Sequence, residues 1–330
     1  MDDAEDKGFD RLLEQLRQSR GFDFSVYKRP SLMRRVARRM QTLEIESYET
    51  YGDFLEVHQE EFEHLFNTIL INVTSFFRDP EAWEVITEQV VPEILAAKST
   101  DGSIRVWSAG CASGEEAFTL AIIFCEKMGT TDFCNRVKIY ATDADEHALV
   151  EARTASYRAD ALEAVDPALV EKYFEKIGDR YLLDKDLRRC VIFGKHDLVQ
   201  DAPISKIDLL TCRNVLIYLN AEAQARIASR FHFALKPHGC LFLGKAETLL
   251  AHSSLFKPVD LKRRIFAKVP QMRFDRKASE SPSNRDQLSK PHAAPIIERA
   301  FDSSPTAQVI VDADDSLLLV NECARNMFGL

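Results

Sequence analysis

The hydrophobic pattern divides the chain into a helical first part and an alternating second part. Over residues 1–70 apolar residues recur at helical spacing, as in Leu12, Leu13 and Leu16, and no strand pattern interrupts them. After a first helix we predict helices at about 31–42, 47–57 and 59–70. The pattern therefore predicts an all-helical N-terminal domain over residues 1–75.

From about residue 80, short β-rich runs alternate with helical segments. Asp79-Pro80 is a helix start, because proline is favoured at the first helical position. The predicted strands are 104–108, 137–142, 191–194, 207–212, 239–244 and 264–269, and the main predicted helices are 114–128, 145–155 and 221–235. Strands that alternate with helices predict an α/β domain with a doubly wound parallel sheet, over residues 76–270.

Three stretches depart from this alternation. Residues 156–190 predict a short helix and a hairpin with Gly178-Asp179 at its turn, and hence a small inserted β-subdomain. Residues 271–303 are rich in Ser, Pro, Asn, Lys and Arg without an apolar period, which is typical of a flexible linker. The pattern over residues 304–330 predicts a strand, a turn, a second strand and a short helix. These elements are too few to bury a core of their own, so we expect the start of a further domain.

Composition excludes several classes of protein. The 330 residues are 45% hydrophobic with a net charge of −9, which is ordinary globular usage without a basic excess for nucleic acid. The longest apolar run is far shorter than the roughly 20 residues that a membrane helix needs, so we expect no membrane insertion. The N-terminus is acidic and lacks the apolar segment of a secretory signal.

Cysteine and histidine usage indicates the redox compartment and argues against a metal site. The seven cysteines are odd in number and never in CxxC spacing, which argues against a disulfide framework and a thiolate zinc site. They favour a reducing cytosol, and we predict a cytoplasmic protein. The eight histidines show no HxH or HExxH spacing, so we expect no metal site.

The net charge conceals a segregation of charge near the N-terminus. Residues 21–42 hold six basic residues and one acid, whereas residues 43–66 hold eight acids and no Lys or Arg. Arg34/Arg38 and Arg35/Arg39 are i,i+4 pairs, and such like-charge pairs cost a helix about 0.2–0.5 kcal/mol each. An acidic partner would compensate. It is either the acidic stretch of this chain or another protein, with nucleic acid a weaker alternative.

Candidate ligand-binding residues follow the predicted strands. The first strand runs into a turn with Gly110 and Gly114, where the backbone can approach a ligand closely. The dinucleotide fingerprint GxGxxG is absent. Glu115 and Glu116 begin the next helix, where they suit a cationic ligand or simply complement the helix dipole.

The later strands end in further polar residues. Asp143 ends the second strand, where α/β nucleotide folds hold a ribose, while Asp145 is better placed as a helix N-cap. Arg213 and Asn214 fall at the tip of strand 207–212, and Tyr218 follows four residues later. Tyr218 is either part of this site or a core aromatic with its hydroxyl at the surface.

The segment NVTSFFRD at 72–79 joins the helical and alternating parts. Its two phenylalanines would bury and pin the connection. Asn72, Thr74 and Arg78 alternate away from that apolar side, and so are either ligand contacts or solvated residues of an inter-domain staple.

Taken together, five strings resemble the CheR-type chemotaxis methyltransferases: N-x-T-x-FFR-D, RVWSAGCASGEE, IYATDAD, CRNVLIY and GCLFLGKAETL. The resemblance covers about residues 10–270 in order. It implies a Rossmann-like domain that uses S-adenosylmethionine, with S-adenosylhomocysteine as product, to methylate glutamate side chains on bacterial chemoreceptors. The enzyme class implied is protein-glutamate O-methyltransferase (EC 2.1.1), with a helical N-terminal domain and a small β insertion.

The resemblance also implies roles for individual residues. Arg78 and Tyr218 would flank the transferred methyl as catalytic residues, and Asp197 stands where the family often has Asn. The cofactor contacts it implies are Asn72, Thr74, Arg78, Glu116, Asp143, Asp197, Leu198, Arg213 and Asn214. Free glutamate has a pKa of about 4.3 and is already ionised at neutral pH, so positioning must do most of the catalytic work.

The resemblance extends to partners. The N-terminal domain resembles a docking surface for acidic receptor helices, which assigns Arg34, Arg35, Arg38 and Arg39 to substrate docking. The loop of the β insertion looks short and has one glycine, which favours a member independent of a receptor pentapeptide. The tail VIVDADDSLLLVNECARNMFG resembles the start of a PAS-type sensor domain, and a larger signalling protein of this kind could serve a pathway other than chemotaxis.

Two other functions stay open at this point besides the methylation of receptor glutamates. The same fold hosts small-molecule and nucleic-acid methyltransferases, since fold does not fix substrate. A non-catalytic module that binds the cofactor and reports it to a partner is the third possibility. The simultaneous presence of Arg78, Asp143, Arg213, Asn214 and Tyr218 speaks weakly against it.

Overall fold

The computed structural model describes residues 3–20, 22–70, 72–247, 254–270, 309–311, 317–320 and 323. The chain divides into two compact units, Met1–Met272 and Arg273–Leu330. In the second unit, strands Val309–Val311 and Leu317–Val320 pair antiparallel. The predicted linker at 271–303 lies outside the described residues, and the domain boundaries at 75, 270 and 303 stay predictions.

The first unit begins with four helices, as the apolar period predicts. They are α1 Asp3–Arg20, α2 Arg29–Thr42, α3 Tyr48–Val57 and α4 Gln59–Ile69, with a short 3-10 turn at Phe24–Val26. Pro30 lies in the first turn of α2, where its missing N–H costs nothing, and the Ser47 hydroxyl caps α3 by accepting from the N–H of Thr50. The apolar faces of these helices enclose their own core around Phe9, Phe24 and Leu65.

A long helical stretch and an α/β region follow. The helices are α5 Pro80–Val85, a π-helical turn Ile86–Val90, α6 Val91–Ala96, α7 Glu115–Met128, α8 Thr130–Arg136, α9 Glu146–Thr154, α10 Pro167–Tyr173, α11 Lys185–Cys190 and α12 Ala221–Ala234, with 3-10 turns at Ala159–Leu162 and Leu216–Tyr218. The strands are β1 Ile104–Ala109, β2 Val137–Asp143, β3 Ser156–Arg158, β4 Phe174–Ile177, β5 Arg180–Leu183, β6 Val191–Lys195, β7 Ile207–Cys212, β8 Leu235–Leu243, β9 Phe256–Asp260 and β10 Ile265–Lys268.

The main sheet confirms the predicted doubly wound architecture. Its order is β6-β2-β1-β7-β8-β10-β9, with the first five strands parallel and β10 antiparallel to both of its neighbours. The chain leaves β1 towards β2 on one side and returns to β7 on the other. The carboxyl ends of β1 and β7 therefore border a crevice, which is where open α/β sheets bind ligands.

Two strands differ from the sequence prediction. Strand β8 begins at Leu235, four residues before the predicted start, and β9 was not predicted at all. Strand β9 lies at the sheet edge, where Lys257, Pro258 and Val259 are exposed. Proline and lysine are ordinary at an edge strand, but they obscure the strand pattern in the sequence.

A separate small sheet occupies the predicted insertion. Its three antiparallel strands run in the order β3-β5-β4, and Gly178 adopts a left-handed φ of +64° at the turn between β4 and β5. Phe76, from the segment that leaves α4, is fully buried against this region, with its ring edge-on to Tyr157 and Phe174. Phe76, the first of the two adjacent phenylalanines, therefore anchors the connecting segment.

The acidic stretch 43–66 supplies a buried partner for one arginine of α2. Arg39 donates from Nε to Glu61 Oε1 at 3.0 Å and from Nη2 to Oε2 at 2.5 Å, and the Tyr51 hydroxyl donates to Oε1 at 2.8 Å. Glu61 is only 3% exposed. Arg39 is therefore a structural link between α2 and α4.

Glu61→Gln should destabilise the first unit. The substitution removes the charge that balances half-buried Arg39, and loss of one partner of a buried charged hydrogen bond costs about 1–3 kcal/mol. We expect a lower midpoint of urea unfolding, with Glu63→Gln, an exposed neighbour on α4, as the control that stays near wild type. Equal midpoints for the two variants would contradict this role of the ion pair.

Candidate active site

A cavity lies at the carboxyl ends of the parallel strands. The residues predicted from sequence to contact the cofactor, together with Tyr218, all lie on its wall: Asn72, Thr74, Arg78, Glu116, Asp143, Asp197, Leu198, Arg213 and Asn214. The space between the walls, counted out to open solvent, is about 1070 Å³. The topology thus collects residues from five separate segments of the sequence.

The N-terminal helices form one side of the same cavity. Phe22, Val26, Tyr27, Ile69 and Leu70 contribute to its wall, and none of them was predicted. Burial raises the pKa of Tyr27, and the carboxylates of Asp197 and Asp143 raise it further. The Tyr27 hydroxyl therefore stays protonated and is available as a hydrogen-bond donor.

The turn after β1 requires glycine at its first position. Gly110 has a φ of +74°, and a Cβ added there would come within 2.3 Å of Val215 Cγ2. Its N–H donates to the Thr142 carbonyl at 2.7 Å. The backbone after β1 therefore lies tightly against the loop after β7, and a side chain at this position would push the two apart.

Glu116 places a buried negative charge at the start of α7. Its Oε1 accepts from the hydroxyls of Ser108 at 3.0 Å and Thr211 at 2.5 Å, while Oε2 lies 3.7 Å from Arg213 Nη1. These contacts fix the carboxylate in one orientation on the cavity wall. The arrangement goes beyond simple compensation of the helix dipole, because side chains from β1 and β7 both bind this acid.

Asp143 and Asp145 have different roles, as the sequence indicates. Asp143 accepts from the N–H of Ala112 at 2.8 Å and of Asp145 at 2.9 Å, and keeps lone pairs on both oxygens for a ligand. Burial raises the pKa of Asp143 above its usual value, although the backbone N–H donors act in the opposite direction. Asp145 is the N-cap of α9, accepting from the N–H of His147 at 2.8 Å, and it also accepts from Asn72 Nδ2 at 2.5 Å.

Arg213 is held by the protein on two sides. It is 7% exposed, and its Nη2 donates to the Arg78 carbonyl at 2.8 Å and to Asp79 Oδ2 at 2.6 Å. The guanidinium carbon lies 4.6 Å from the centre of the Phe242 ring. Arg213 thereby connects the strand tip to the segment that carries Arg78.

Asn214 offers an unused acceptor on the cavity wall. Its backbone is left-handed with a φ of +62°, and its Oδ1 is buried without a hydrogen-bond partner among the described residues. Buried polar atoms are seldom left unpaired, so this oxygen fits a ligand that carries a donor such as an amino group. Together with the Glu116 carboxylate, it suits the ammonium group of an amino-acid-like ligand.

Asp197 and Leu198 line the cavity from the segment that follows β6. Asp197 Oδ1 accepts from the N–H of Val199 at 2.7 Å and of Gln200 at 3.2 Å, so the carboxylate shapes the turn. His196, which the sequence did not single out, also lines the cavity and donates from Nε2 to the Ala202 carbonyl at 3.0 Å.

Glu247 is a further residue that the sequence did not single out. It is 3% exposed, and its carboxylate accepts from four backbone N–H groups, those of Gly244 at 2.6 Å, Asn214 at 3.1 Å, Val215 at 2.8 Å and Leu216 at 2.7 Å. One buried acid therefore holds the loop that carries Arg213, Asn214 and Tyr218. It belongs to the string GKAETL, but nothing in the sequence indicates which backbone groups it binds.

The two predicted catalytic residues, Arg78 and Tyr218, line the cavity from separate segments of the chain. Arg78 donates from Nη1 to the Val73 carbonyl at 2.9 Å, and Tyr218 ends the 3-10 turn after β7. The Tyr218 carbonyl accepts from the N–H of Lys28, and the N–H of Asn220 donates to the Val26 carbonyl, both at 2.8 Å. This short backbone bridge joins the N-terminal helices to the active-site loop.

The four arginines of α2 that were predicted to dock substrate, Arg34, Arg35, Arg38 and Arg39, divide into two pairs. Arg39 binds Glu61, and Arg35 donates from Nη1 to the carbonyls of Thr68 at 2.9 Å and Ile69 at 2.7 Å. Arg34 and Arg38 are exposed, and within the described part of the chain their side chains form no hydrogen bond or ion pair. Of these four, Arg34 and Arg38 therefore leave their charge unpaired among the described residues.

Two absences hold for the described residues alone. They contain no group of three or more His, Cys, Asp or Glu side chains arranged to bind a metal ion. Within the same residues, no helix combines the length and the apolar character that crossing a membrane would require.

Comparison with protein families gives three matches along the chain. Residues 7–70 match the all-alpha domain of CheR methyltransferases, residues 72–265 match the CheR methyltransferase SAM binding domain, and residues 296–330 match a PAS domain. The second match alone covers more than half of the chain, and its description gives the cofactor as S-adenosylmethionine. The unpartnered Asn214 oxygen and the Glu116 carboxylate fit the amino group of this cofactor.

Individual relatives extend the comparison. An uncharacterized 104.1 kDa protein of Rhodobacter capsulatus is 34% identical over 88% of this chain, which spans only 31% of that protein. A chemotaxis protein methyltransferase of Listeria innocua is 33% identical over 70% of this chain and 86% of its own length. The chemotaxis protein methyltransferase of Escherichia coli is 29% identical over 73% of this chain and 84% of its own length.

Glu247→Gln should weaken cofactor binding. The amide nitrogen cannot accept a hydrogen bond, so backbone N–H groups of the 213–216 loop would lose their acceptor, at about 1–3 kcal/mol. We expect the affinity for S-adenosylhomocysteine, measured by calorimetry, to fall by about tenfold or more. The control is Glu222→Gln on the exposed face of α12, and wild-type affinity in Glu247→Gln would contradict the role of this acid.

Proposed function

This chain belongs to the CheR methyltransferase family, and we propose that it transfers the methyl group of S-adenosylmethionine to glutamate side chains on the cytoplasmic helices of chemoreceptors. The observation that carries this proposal is the single cavity whose wall includes Arg78, Tyr218 and the other residues of the predicted set. The names of the Listeria and Escherichia relatives support the chemotaxis setting.

We assign the cofactor contacts by chemistry. Glu116 and Asn214 would hold the amino group of the methionine part, and Asp143 would accept from the ribose hydroxyls, as acids after the second strand do in nucleotide folds. Asp197 and Leu198 would face the adenine, and Asn72 and Thr74 would supply further contacts from the segment after α4. Arg213 would act chiefly by holding Asp79 and the Arg78 carbonyl in place.

Arg78 and Tyr218 are assigned to the substrate. The bound cofactor supplies an electrophilic methyl group on a sulfonium. Because glutamate is ionised at neutral pH, no general base has to remove a proton. Arg78 would hold the incoming carboxylate by its charge, and Tyr218 would orient one carboxylate oxygen in line with the sulfur–methyl bond. Positioning of this kind can supply several kcal/mol of the barrier reduction, about 7–11 kcal/mol in the best cases.

Substrate docking is assigned to the exposed face of α2. Arg34 and Arg38 keep the role that the sequence predicted, as free cations for the acidic side of a receptor helix, while Arg35 and Arg39 are occupied within the protein. We propose that docking needs no receptor pentapeptide, because the turn of the inserted sheet is only Gly178-Asp179. The six cysteines from Cys111 to Cys240 form no disulfide, which supports a cytoplasmic location.

The PAS match supports a place for this chain within a larger signalling protein. The Rhodobacter capsulatus relative, of which this chain spans 31%, is compatible with further domains. We propose that such domains adjust methylation in response to a sensed input.

Substitutions at the two catalytic positions test the proposal. Arg78→Ala and Tyr218→Phe should each lower the rate of methyl transfer to receptor fragments by about 100-fold or more, because positioning is lost. Binding of S-adenosylhomocysteine should survive in Tyr218→Phe. Wild-type turnover in both variants would overturn the assignment.

Salt tests the docking surface. Contacts between exposed charges weaken as the Debye length falls from about 10 Å at 0.1 M salt to about 3 Å at 1 M. The KM for a receptor fragment should therefore rise steeply with salt in the wild-type protein and much less in an Arg34→Ala, Arg38→Ala double variant. A salt-independent wild-type KM would count against docking by charge.

A further inference from the structure

Arg35 contacts two segments that form the active site. Its Nη1 donates to the last carbonyls of α4, those of Thr68 at 2.9 Å and Ile69 at 2.7 Å. Its guanidinium carbon also lies 5.6 Å from the centre of the Tyr218 ring, within range of a cation–π contact. The side chain thus reaches from the docking helix α2 both to the end of α4 and to the active-site loop.

The contact with α4 controls where the chain enters the cavity. The last carbonyls of a helix have no intrahelical partner and carry partial negative charge, so a guanidinium is well suited to bind them. The helix ends at Ile69, and the segment that begins at Asn72 and carries Arg78 follows at once. A displacement of the end of α4 would therefore also displace the segment that carries Arg78.

The contact with Tyr218 reinforces the backbone bridge beside it. Tyr218 accepts from the N–H of Lys28, just before α2 begins, so its backbone and its ring are both attached to the same helical element. The Tyr218 ring and the Arg35 side chain also border one small cavity, together with Tyr27, Leu32 and Ile69. Arg35 is the charged group on this side of the ring.

We propose that Arg35 is a positioning residue that fixes the Tyr218 ring and the end of α4 relative to each other. It couples the docking face of α2 to methyl transfer, since Arg34 and Arg38 belong to the same helix. The role in methyl transfer rests on the proposed function of Tyr218. A lysine at this position keeps the charge but lacks the planar fork that binds two carbonyls and stacks on a ring.

Kinetics of the full chain separate positioning from docking. Arg35→Lys should lower kcat by about tenfold to 100-fold, as expected for a small misplacement of reacting groups, with KM for the receptor fragment little changed. Arg34→Ala and Arg38→Ala should raise KM instead. If Arg35→Lys raises KM and leaves kcat at the wild-type value, Arg35 is a docking residue and the proposal is wrong.

Hydrogen exchange tests the same proposal without any methyl transfer. In Arg35→Lys, amides in peptides that cover residues 70–79 and 213–220 should exchange faster than in wild type, whereas those of the main sheet should not. The control is Arg11→Ala, an exposed residue of α1. Because this readout needs no substrate, it still decides the role of Arg35 if receptor fragments prove not to be methylated, and unchanged exchange would overturn the proposal.

Discussion

One buried carboxylate holds the active-site loop, and the rest of the site depends on it. Glu247 accepts four backbone N–H groups, three of them from the loop after β7, and thereby fixes Asn214 in its left-handed conformation. Left-handed backbone is unfavourable for residues other than glycine, so the hydrogen bonds have to stabilise it. The same loop presents Arg213, Asn214 and Tyr218, so its shape decides whether cofactor and substrate groups can be held together.

The outer side of this loop is attached to the N-terminal helices. The backbone bridge to residues 26–28 and the Arg35 side chain link it to α2, while Arg213 links it to the segment of Arg78 and Asp79. The helical part of the chain is therefore a wall of the cavity as well as the proposed docking surface. This arrangement is consistent with the two roles that we propose for arginines on neighbouring sides of α2.

Much of this architecture was predictable, because alternation of apolar runs dictates the sheet and strand ends meet at one edge. Every residue of the predicted cofactor set lines one cavity, although its role there stays a proposal. The α2 arginines were harder to assign. At about 100° per residue, Arg34 and Arg38 lie opposite buried Leu32 and Val36, whereas Arg35 and Arg39 flank them. The family resemblance assigned all four to substrate docking. The contacts of Glu247 could not be predicted, because three of its four partners lie more than thirty residues earlier in the chain. These partners are backbone N–H groups of a loop whose shape depends on the same hydrogen bonds.

The most direct test of the central claim is transfer of a tritiated methyl group from S-adenosylmethionine to cytoplasmic fragments of chemoreceptors. The account predicts label on the receptor fragment that is released by base, as expected for a methyl ester of glutamate, and no label with Arg78→Ala. Label on RNA or on a small molecule, or binding of the cofactor without transfer to the receptor fragments, would contradict it.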